Sequence, residues 1–381
     1  MKIAIYETVH IELVIPLARL LKDSPHSITF WVHEKMKADI ESSLHPTELS
    51  VHTWIYLPNL RINALYTLLN GQCKIQHFDL LWLNTIDSRH MVFAVLRFTY
   101  KKTRMLINIH EINNFFRPAL QANIKQLIRA VSKKVLSVAA DGYLLSTGKM
   151  KENIEVNKLT RKPCYVMMPV YHHQYGNTQP EKNKFTVVVA GTVDERRRDY
   201  RAVLDAWKIF LQEKVGTGDA VLLLAGEMNS YGTTIQEICT ADPILQNTVC
   251  LFNREIPETR FRQLLDTASV LLSPQQFKTS TSDNILEEYG HTKNSGNTFD
   301  AIRHAKPYII PHWLPIPTDI ETSAVRYTEN SELADILKML YYDAAALHKL
   351  SLLALENARQ FSYETVRRQI LDILKIVSAL L

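Results

Sequence analysis

The sequence has little cysteine and no long apolar run, and both absences narrow the class of protein. Cys73, Cys164, Cys239 and Cys250 lie far apart and form no CxxC or His/Cys ligand spacing. We therefore expect buried thiols in a reducing compartment, and neither a disulfide framework nor a zinc site. No apolar stretch approaches the roughly 18 residues of a membrane span, and the N-terminal apolar run is too short for a signal peptide. A cytoplasmic protein is expected.

Internal repeats and recognised nucleic-acid-binding modules are also missing, so nucleic acid is not expected as a partner. The 381 residues, 46% of them apolar, suffice for two domains. Charge is divided unevenly: residues 1–180 hold 22 Lys and Arg against 13 Asp and Glu, whereas residues 181–381 hold 22 against 26. A basic half and a mildly acidic half indicate two domains with different partners.

Short β-branched runs alternate with longer helical patterns twice along the chain. Such alternation predicts parallel sheets covered by helices, and hence an α/β protein with two Rossmann-like parallel-sheet domains. The predicted strands are KIAIYE, SITFWVH, ELSVHTWIYLP, HFDLLWLNT, RMLINIHE, DGYLLST and KPCYVMMPV, followed by FTVVVAG, AVLLLAG, TVCLFN, SVLLSP and PYIIP.

A polar, aperiodic segment at 173–184 is the best linker candidate. We expect an N-terminal domain at 1–172 and a C-terminal domain at 185–362. Residues 331–350 and 363–381 show helical patterns.

Ligands of open parallel sheets bind beyond the carboxyl ends of the strands, so the residues that follow each strand are candidates for a site. In the second half these are Gly191 and Thr192, the arginines 196–198, Glu227, and the loop with Arg254 and Ile256. Three arginines at a helix start would oppose the helix dipole, which favours an anion facing Arg196 and Arg198. The alternative is a solvated helix start.

The run Ser295-Gly296-Asn297-Thr298 precedes an amphipathic segment and is suited to holding a diphosphate. Ser295 or Asn297 can cap a helix there, and Gly296 lets backbone N–H groups approach an anion closely. Asp300, about one turn further, could accept hydrogen bonds from ribose hydroxyls. It could equally complement the helix dipole without any ligand.

These elements resemble the nucleotide-sugar-binding half of GT-B glycosyltransferases, most closely family 4 (glycosyl transferases group 1). The resemblance is carried by AGTVDERRRDYRAVLDAW, NREIPETRFRQLLDTASVLLSP and EEYG followed by DAIRHAKPYIIP. It covers most of 185–311, and it covers 1–170 only as general architecture. The two acids of the family motif lie eight apart, whereas Glu287 and Asp300 are thirteen apart because HTKNS is inserted, and the second acid is Asp.

The resemblance implies a role for each matching residue. Asp300 would contact the ribose, the amides of 295–298 the phosphates, and Arg196 or Arg198 the diphosphate charge. Backbone near Ile256 would frame the base, and Glu287 would meet the donor sugar. The resemblance also implies that the two domains face a cleft, with 1–172 binding the acceptor and 185–362 the nucleotide sugar. The helix at 363–381 would pack back on the first domain. No cofactor or metal is expected, since arginine and helix dipoles would stabilise the leaving diphosphate.

Two His/Glu pairs follow strands of the first half at the predicted cleft: His10 with Glu12, and His110 with Glu111. In an inverting transferase His10, Glu12 or Glu111 would be the general base for the acceptor hydroxyl. In a retaining one the resemblance places His110 beside the donor sugar, and retention is the slightly favoured outcome. Structural caps or surface groups are the alternative for these histidines.

Residues 117–138 form the most basic amphipathic stretch. Leu120, Ile124, Leu127, Ile128, Val131 and Val135 share one face, and Lys125, Arg129, Lys133 and Lys134 occupy the remainder. Such a helix either packs on its own sheet with its cations in water or draws the domain to an anionic membrane surface.

The sequence therefore predicts a glycosyltransferase that moves a sugar from a nucleotide-diphosphate sugar to a glycan or lipid-linked acceptor, in surface polysaccharide or glycoconjugate synthesis, with possible peripheral membrane contact. Two alternatives stay open. One is a nucleotide-sugar epimerase, which shares the two-domain plan and needs no acceptor. The other is a non-catalytic GT-B-like binding subunit.

Overall fold

The first domain is built on a parallel sheet of seven strands. The computed structural model describes residues 1–58, 75–86, 89–119, 123–172, 184–212, 219–281 and 283–379. The strands of the sheet are β1 (Lys2–Glu7), β2 (Ser27–His33), β3 (Thr53–Leu57), β4 (Leu80–Thr85), β5 (Arg104–Ile109), β6 (Gly142–Leu145) and β7 (Cys164–Val166). Their order in the sheet is β3-β2-β1-β4-β5-β6-β7, so the order reverses between β1 and β4.

Helices cover both faces of this sheet. Successive side chains of β1 enter different cores: Ala4 and Tyr6 join one cluster, and Ile3 and Ile5 join the other. That two-sided burial explains why the strands are nearly continuous apolar runs. The described helices are α1 (Ile11–Leu21), α2 (Lys37–Ser43), α3 (Pro46–Ser50), α4 (His90–Thr99), α5 (Ile112–Phe116), α6 (Ile124–Ala139) and α7 (Gly148–Val156), with 3-10 turns at Glu34–Met36 and Ile75–His77.

The second domain repeats the plan with a six-stranded parallel sheet and a separate antiparallel hairpin. Its strands are β8 (Phe185–Ala190), β9 (Ala220–Glu227), β10 (Val249–Phe252), β11 (Val270–Leu272), β12 (Lys278–Ser280), β13 (Leu286–Glu288), β14 (Tyr308–Pro311) and β15 (Ala324–Tyr327). The order in the sheet is β10-β9-β8-β11-β14-β15, and β12 and β13 form the hairpin. The hairpin and β15 were not predicted.

The second domain's helices lie between and after these strands. They are α8 (Tyr200–Gln212), α9 (Thr233–Ala241), α10 (Pro243–Thr248), α11 (Glu258–Thr267), α12 (Gly296–His304), α13 (Asn330–Tyr342) and α14 (Ala344–Arg359), with a 3-10 turn at Thr318–Ser323. The single helical segment predicted at 331–350 is two helices. Asp343 interrupts it because its side chain caps α14, accepting a hydrogen bond from the Ala346 N–H at 2.9 Å.

The last helix, α15 (Tyr363–Ser378), returns to the first domain. Its buried side chains Val366, Ile370, Leu374 and Val377 recur at helical spacing and belong to the same core cluster as Ile3. The Tyr363 hydroxyl donates to the Arg19 carbonyl at 2.8 Å. Of the predicted linker 173–184, all but residue 184 lies outside the described residues.

The structure also bears on the expectations for the cysteines and for membrane-spanning helices. Cys239 is buried and Cys164 half-buried, but Cys250 is exposed on β10, contrary to the expectation of buried thiols; Cys73 lies outside the described residues. Within the described part of the chain no helix is long and apolar enough to span a bilayer.

Candidate functional site

Two glycines bring the turn after β8 against the end of β9. Gly191 has φ +94°, a left-handed conformation that L side chains rarely adopt. A Cβ at Gly226 would lie 2.3 Å from the Gly191 carbonyl carbon, and a Cβ at Gly191 would lie 2.6 Å from Arg198 Nη2. Glycine at both positions therefore lets the backbone close up and leaves room for the Arg198 guanidinium.

Arg198 is a buried cation at the carboxyl edge of the second sheet, with only 9% of its surface exposed. Nη1 donates to the Thr192 carbonyl at 2.9 Å, and Nη2 donates to Asn297 Oδ1 at 3.0 Å. Nε has no hydrogen-bond partner among the described residues. A buried donor without a partner is costly, so this guanidinium has capacity for an anion.

The α12 N-terminus lies directly beside Arg198. Ser295 is the N-cap: its hydroxyl accepts from the Asn297 N–H at 3.3 Å and from Gln275 Nε2 at 2.9 Å. The side-chain amide of Asn297, through Nδ2, donates to the Ala190 carbonyl at 3.2 Å, which connects the helix start to β8. Gly296 faces open space, since a Cβ there would meet nothing within 4 Å. Thr298 is buried behind it.

Arg196 has different neighbours from Arg198. It forms a salt bridge to Asp194 at 2.6 Å, and its guanidinium lies 3.5 Å from the centroid of the Tyr231 ring. Burial alone would raise the pKa of Asp194, but Arg196 and Asn229 outweigh it and lower that pKa to about 2. The arginines 196–198 therefore do not act together, and only Arg198 contacts the α12 start.

The other predicted donor residues lie along the same edge. Thr192 and Arg254 are exposed, Ile256 is half-buried against the core, and the Glu227 carbonyl accepts the Val193 N–H at 2.9 Å. Asp300 accepts from Arg303 Nη1 at 3.3 Å. Burial raises the pKa of Asp300, although Arg303 and His304 oppose the shift.

Glu287, the residue predicted to meet the donor sugar, is fully buried against the first domain. Its Oε1 accepts the Asn114 N–H at 2.7 Å and its Oε2 the Asn113 N–H at 3.3 Å, both in the first turn of α5. Burial raises its pKa to about 7 despite these two bonds. The Glu287 carboxylate therefore connects the two domains, because β13 places it against the first turn of α5.

The HTKNS insertion, residues 291–295, continues this interdomain contact. The Thr292 carbonyl accepts the Ile112 N–H at 2.9 Å, and Lys293 Nζ donates to Glu111. Asn113 Nδ2 donates to the Leu286 carbonyl at 3.0 Å. The insertion and the hairpin together thus hold the second domain against the edge of the first.

Arg129 and Lys133, predicted to belong to an exposed basic patch, face the second domain instead. Arg129 Nη1 donates to Asp283 Oδ1 at 2.6 Å, and Lys133 Nζ donates to Asp283 Oδ2 at 2.8 Å and to Asn114 Oδ1 at 2.6 Å. Burial would raise the pKa of Asp283, but the two cations leave it lowered. Lys133 is therefore buried at the contact between the domains and does not face water, and a membrane or acceptor role for the two residues stays a prediction.

Lys125 and Lys134 do lie on the exposed side of α6. The apolar face expected to pack on the sheet is exposed with them: Ile124 is 74% exposed and Ile128 61%. The buried side instead carries Ala130, Leu136 and Ala139, among others. Leu120 lies outside the described residues.

A cavity of about 500 Å³ opens at the carboxyl ends of β1, β4 and β5, next to the point where the strand order reverses. Side chains of α6 and Asp283 of the second domain close its far side. It is lined by Val9, His10, Thr85, Ile86, His90, Ile107, Asn108, Ile109, His110, Glu111, Asn114, Phe115, Arg129, Lys133 and Asp283.

His10 and Glu12 form a hydrogen-bonded pair at the edge of this cavity. Nδ1 of His10 lies 2.7 Å from Glu12 Oε1. Burial would lower the pKa of His10, but the bond to Glu12 and its charge outweigh it and leave that pKa raised; that of Glu12 is lowered in return. Because Nδ1 is held by a carboxylate, Nε2 is the nitrogen free to exchange a proton.

His110 belongs to a second, buried network. Its Nε2 lies 3.1 Å from the Asn84 carbonyl and 3.0 Å from Thr85 Oγ1, whose hydroxyl donates to Glu7 Oε2 at 2.7 Å. Burial, with His10 nearby, lowers the pKa of His110 to about 4, so the ring is neutral at pH 7. With acceptors facing Nε2, that nitrogen carries the proton and Nδ1 keeps its lone pair.

Comparison with known proteins identifies the architecture. The sequence matches no known protein-family model and no curated protein. HepE from Anabaena, solved in complex with UDP, is 12% identical, with a TM-score of 0.67 over 98% of this chain and 100% of its own. A UDP-forming α,α-trehalose-phosphate synthase from Burkholderia vietnamiensis is 12% identical, with a TM-score of 0.58 over 99% and 98%. A putative UDP-N-acetylglucosamine 2-epimerase from Listeria monocytogenes is 12% identical, with a TM-score of 0.56 over 97% and 94%.

The chain has the GT-B fold. The two parallel-sheet domains agree with these structures over nearly the whole chain, which confirms the predicted fold class. At this level of identity the likeness extends to the fold, and membership of family 4 stays a prediction.

Several site residues of this GT-B chain were missed from the sequence. Glu7 is fully buried at the end of β1 and accepts the N–H groups of Val9 and His10 at 2.8 and 3.0 Å. Asn84 donates to Glu7 at 3.0 Å. An acid that ends an otherwise apolar strand was the available signal for Glu7. For Asp283 the local sequence offered none, because its role depends on contact with α6.

Proposed function

We propose that this chain is a glycosyltransferase that moves a sugar from a nucleoside-diphosphate sugar to a hydroxyl of a glycan or lipid-linked glycan acceptor. The observation that carries the donor site is the pairing of the open α12 N-terminus at Gly296 with the buried Arg198, whose Nε has no partner among the described residues. Together they offer amide donors, a helix dipole and a cation to one diphosphate. The nucleoside would extend toward Ile256 and Glu227, with Asp300 at the ribose.

The acceptor would occupy the cavity of the first domain, with His10 as general base. Its Nε2 would take the acceptor hydroxyl's proton as that oxygen bonds to the anomeric carbon and the bond from this carbon to the diphosphate breaks. The electron pair leaves with the diphosphate, whose charge Arg198 and α12 would stabilise without a metal. The His10–Glu12 pair favours inversion over the retention expected from the resemblance.

An epimerase is the second candidate, because His10, His110 and Glu111 line one cavity and two further carboxylates, Glu7 and Glu12, are hydrogen-bonded to His10. Incubation with a nucleotide sugar alone separates the two. An epimerase would release a different sugar nucleotide, whereas a transferase needs the acceptor to consume the donor. Binding without turnover under either condition would support a non-catalytic subunit.

Thermal shift with a panel of nucleoside diphosphates and their sugars tests the donor site. We expect stabilisation by at least one compound and its loss in Gly296→Val, where the new side chain would occupy the space left for the phosphates. Gly148→Val is the matched control, since Gly148 also begins a helix after a hydroxyl N-cap and also faces open space. No stabilisation of the unaltered protein by any diphosphate would refute the donor site.

A further inference from the structure

The outer side of the first domain carries an apolar surface that its own chain leaves uncovered. Helices α4 and α6 lie side by side over the same core. Val138 is 68% exposed and Val95 54%, and the apolar positions recur at helical spacing along each helix. We call this surface the α4/α6 face; its exposed residues are Met91, Val95, Phe98, Ile124, Leu127, Ile128, Val131 and Val138. Eight exposed apolar side chains on two adjacent helices differ from the singly scattered ones of an ordinary surface, and they mark an interaction surface.

The charged side chains of α4 and α6 are cationic, and the neighbouring acid Asp141 is already paired with Arg97 at 2.8 Å and Arg104 at 2.9 Å. Neither helix contains an Asp or Glu, over 26 residues in total. Lys101 and Lys102 are exposed directly after α4, and Lys125 and Lys134 are exposed on α6. An apolar stripe bordered by lysines matches an anionic lipid surface, in which side chains enter the acyl boundary while ammonium groups meet headgroups.

A second copy of the chain fits this surface less well. A two-fold symmetric contact would place the same face on both sides, so the lysines of one copy would oppose those of the other. No acid on either helix would compensate for them. Charge therefore favours a negatively charged partner over self-association.

We propose that the α4/α6 face docks the first domain on an anionic membrane. The docking does not depend on the transferase proposal. If both hold, the docking would bring the first-domain cavity close to the membrane. Arg129 and Lys133, on another side of α6, line the cavity. If the proposed function holds, a lipid-linked acceptor can remain in the bilayer at the α4/α6 face while its head group reaches His10.

Co-sedimentation with vesicles tests the docking. The full chain is mixed with phosphatidylcholine vesicles, with or without about a quarter phosphatidylglycerol, at low and high salt. We expect binding only with the anionic lipid, weakening as salt rises. Val95→Asp with Ile128→Asp should reduce binding about tenfold or more. Lys125→Gln with Lys134→Gln should reduce it roughly fivefold per lysine.

All four substituted residues are exposed, so the fold should survive, and circular dichroism checks this. Leu352→Asp is the matched control, because Leu352 is an exposed apolar residue on a helix of the second domain and its replacement should leave binding unchanged. Two results would overturn the proposal. One is no binding of the unaltered chain to anionic vesicles at low salt. The other is a lipid-free dimer that the Val95/Ile128 variant dissociates, which would assign the face to a second copy. Neither result affects the thermal-shift test of the donor site.

Discussion

Neutralising Glu287 should remove a pH dependence from the stability of the protein. Its carboxyl has a pKa of about 7 in the folded chain against the ordinary 4.5, because burial between the domains penalises the charged form. A raised pKa means that the folded state binds the proton more tightly. The resulting stability is therefore fully present below pH 4.5 and is lost as pH rises through 7.

The magnitude follows from the two pKa values. Between pH 5.5 and 8.5 a shift from 4.5 to about 7 changes the free energy of unfolding by about 2 kcal/mol. Glutamine in place of Glu287 keeps one oxygen to accept an amide N–H of α5 but has no proton to exchange. The unaltered protein should therefore lose about 2 kcal/mol more than Glu287→Gln over this pH range.

Guanidinium unfolding at the two pH values, for both proteins, measures this difference of differences, and the contributions of other titrating groups cancel. Glu288→Gln is the matched control, since Glu288 is adjacent, half-buried and paired with the exposed Lys278 at 3.5 Å. It should leave the pH dependence as it is. The reasoning is refuted if Glu287→Gln retains the full pH dependence of the unaltered protein.

Three further predictions address the site. Under the proposed mechanism kcat/KM should rise with pH through the His10 pKa, which lies above 6.5, because the base must be neutral. Glu12→Gln removes the carboxylate that raises this pKa, so the rise in kcat/KM should move to lower pH. A pH–rate profile of both proteins measures the two effects. Asp283→Asn leaves Lys133 buried without its carboxylate and should cost roughly 3 kcal/mol of unfolding free energy, whereas a cost within about 0.5 kcal/mol would show that the pair is dispensable. Gly191→Ala should lower the melting temperature and donor affinity together, since the new Cβ would lie 2.6 Å from Arg198; unchanged affinity for every diphosphate would contradict a donor site there.

Much of the fold could be predicted because its signals are local. Buried parallel strands are short apolar runs whatever surrounds them, so each of the twelve predicted strand segments overlaps a strand of the structure. The strand β15 was missed because AVRY lacks such a run. The hairpin of β12 and β13 was missed for a different reason: its strands have three residues each and bury little of their own.

The orientation of α6 could not be predicted from its pattern. An amphipathic helix has two sides, and periodicity says which residues share a side without saying which side meets the sheet. The rule that the apolar side faces inward fails here, since small residues such as Ala130 and Ala139 pack inward and Ile124 and Ile128 remain outside. Lys133 can be buried because Asp283, 150 residues away in sequence, forms an ion pair with it.

The insertion HTKNS links the two parts of the site in a way that spacing alone could not reveal. Thirteen residues from Glu287 to Asp300, in place of eight, leave room for a segment that reaches Glu111 and Ile112 of the first domain. With that segment in place, Glu287 caps α5, and α5 in turn carries Asn114 to Lys133 at the cavity wall. The acid that would contact a donor sugar thus helps to hold the proposed acceptor cavity in shape. A donor sugar that needed this carboxylate would have to break the interdomain contact first, so donor binding and domain separation would be coupled through one residue.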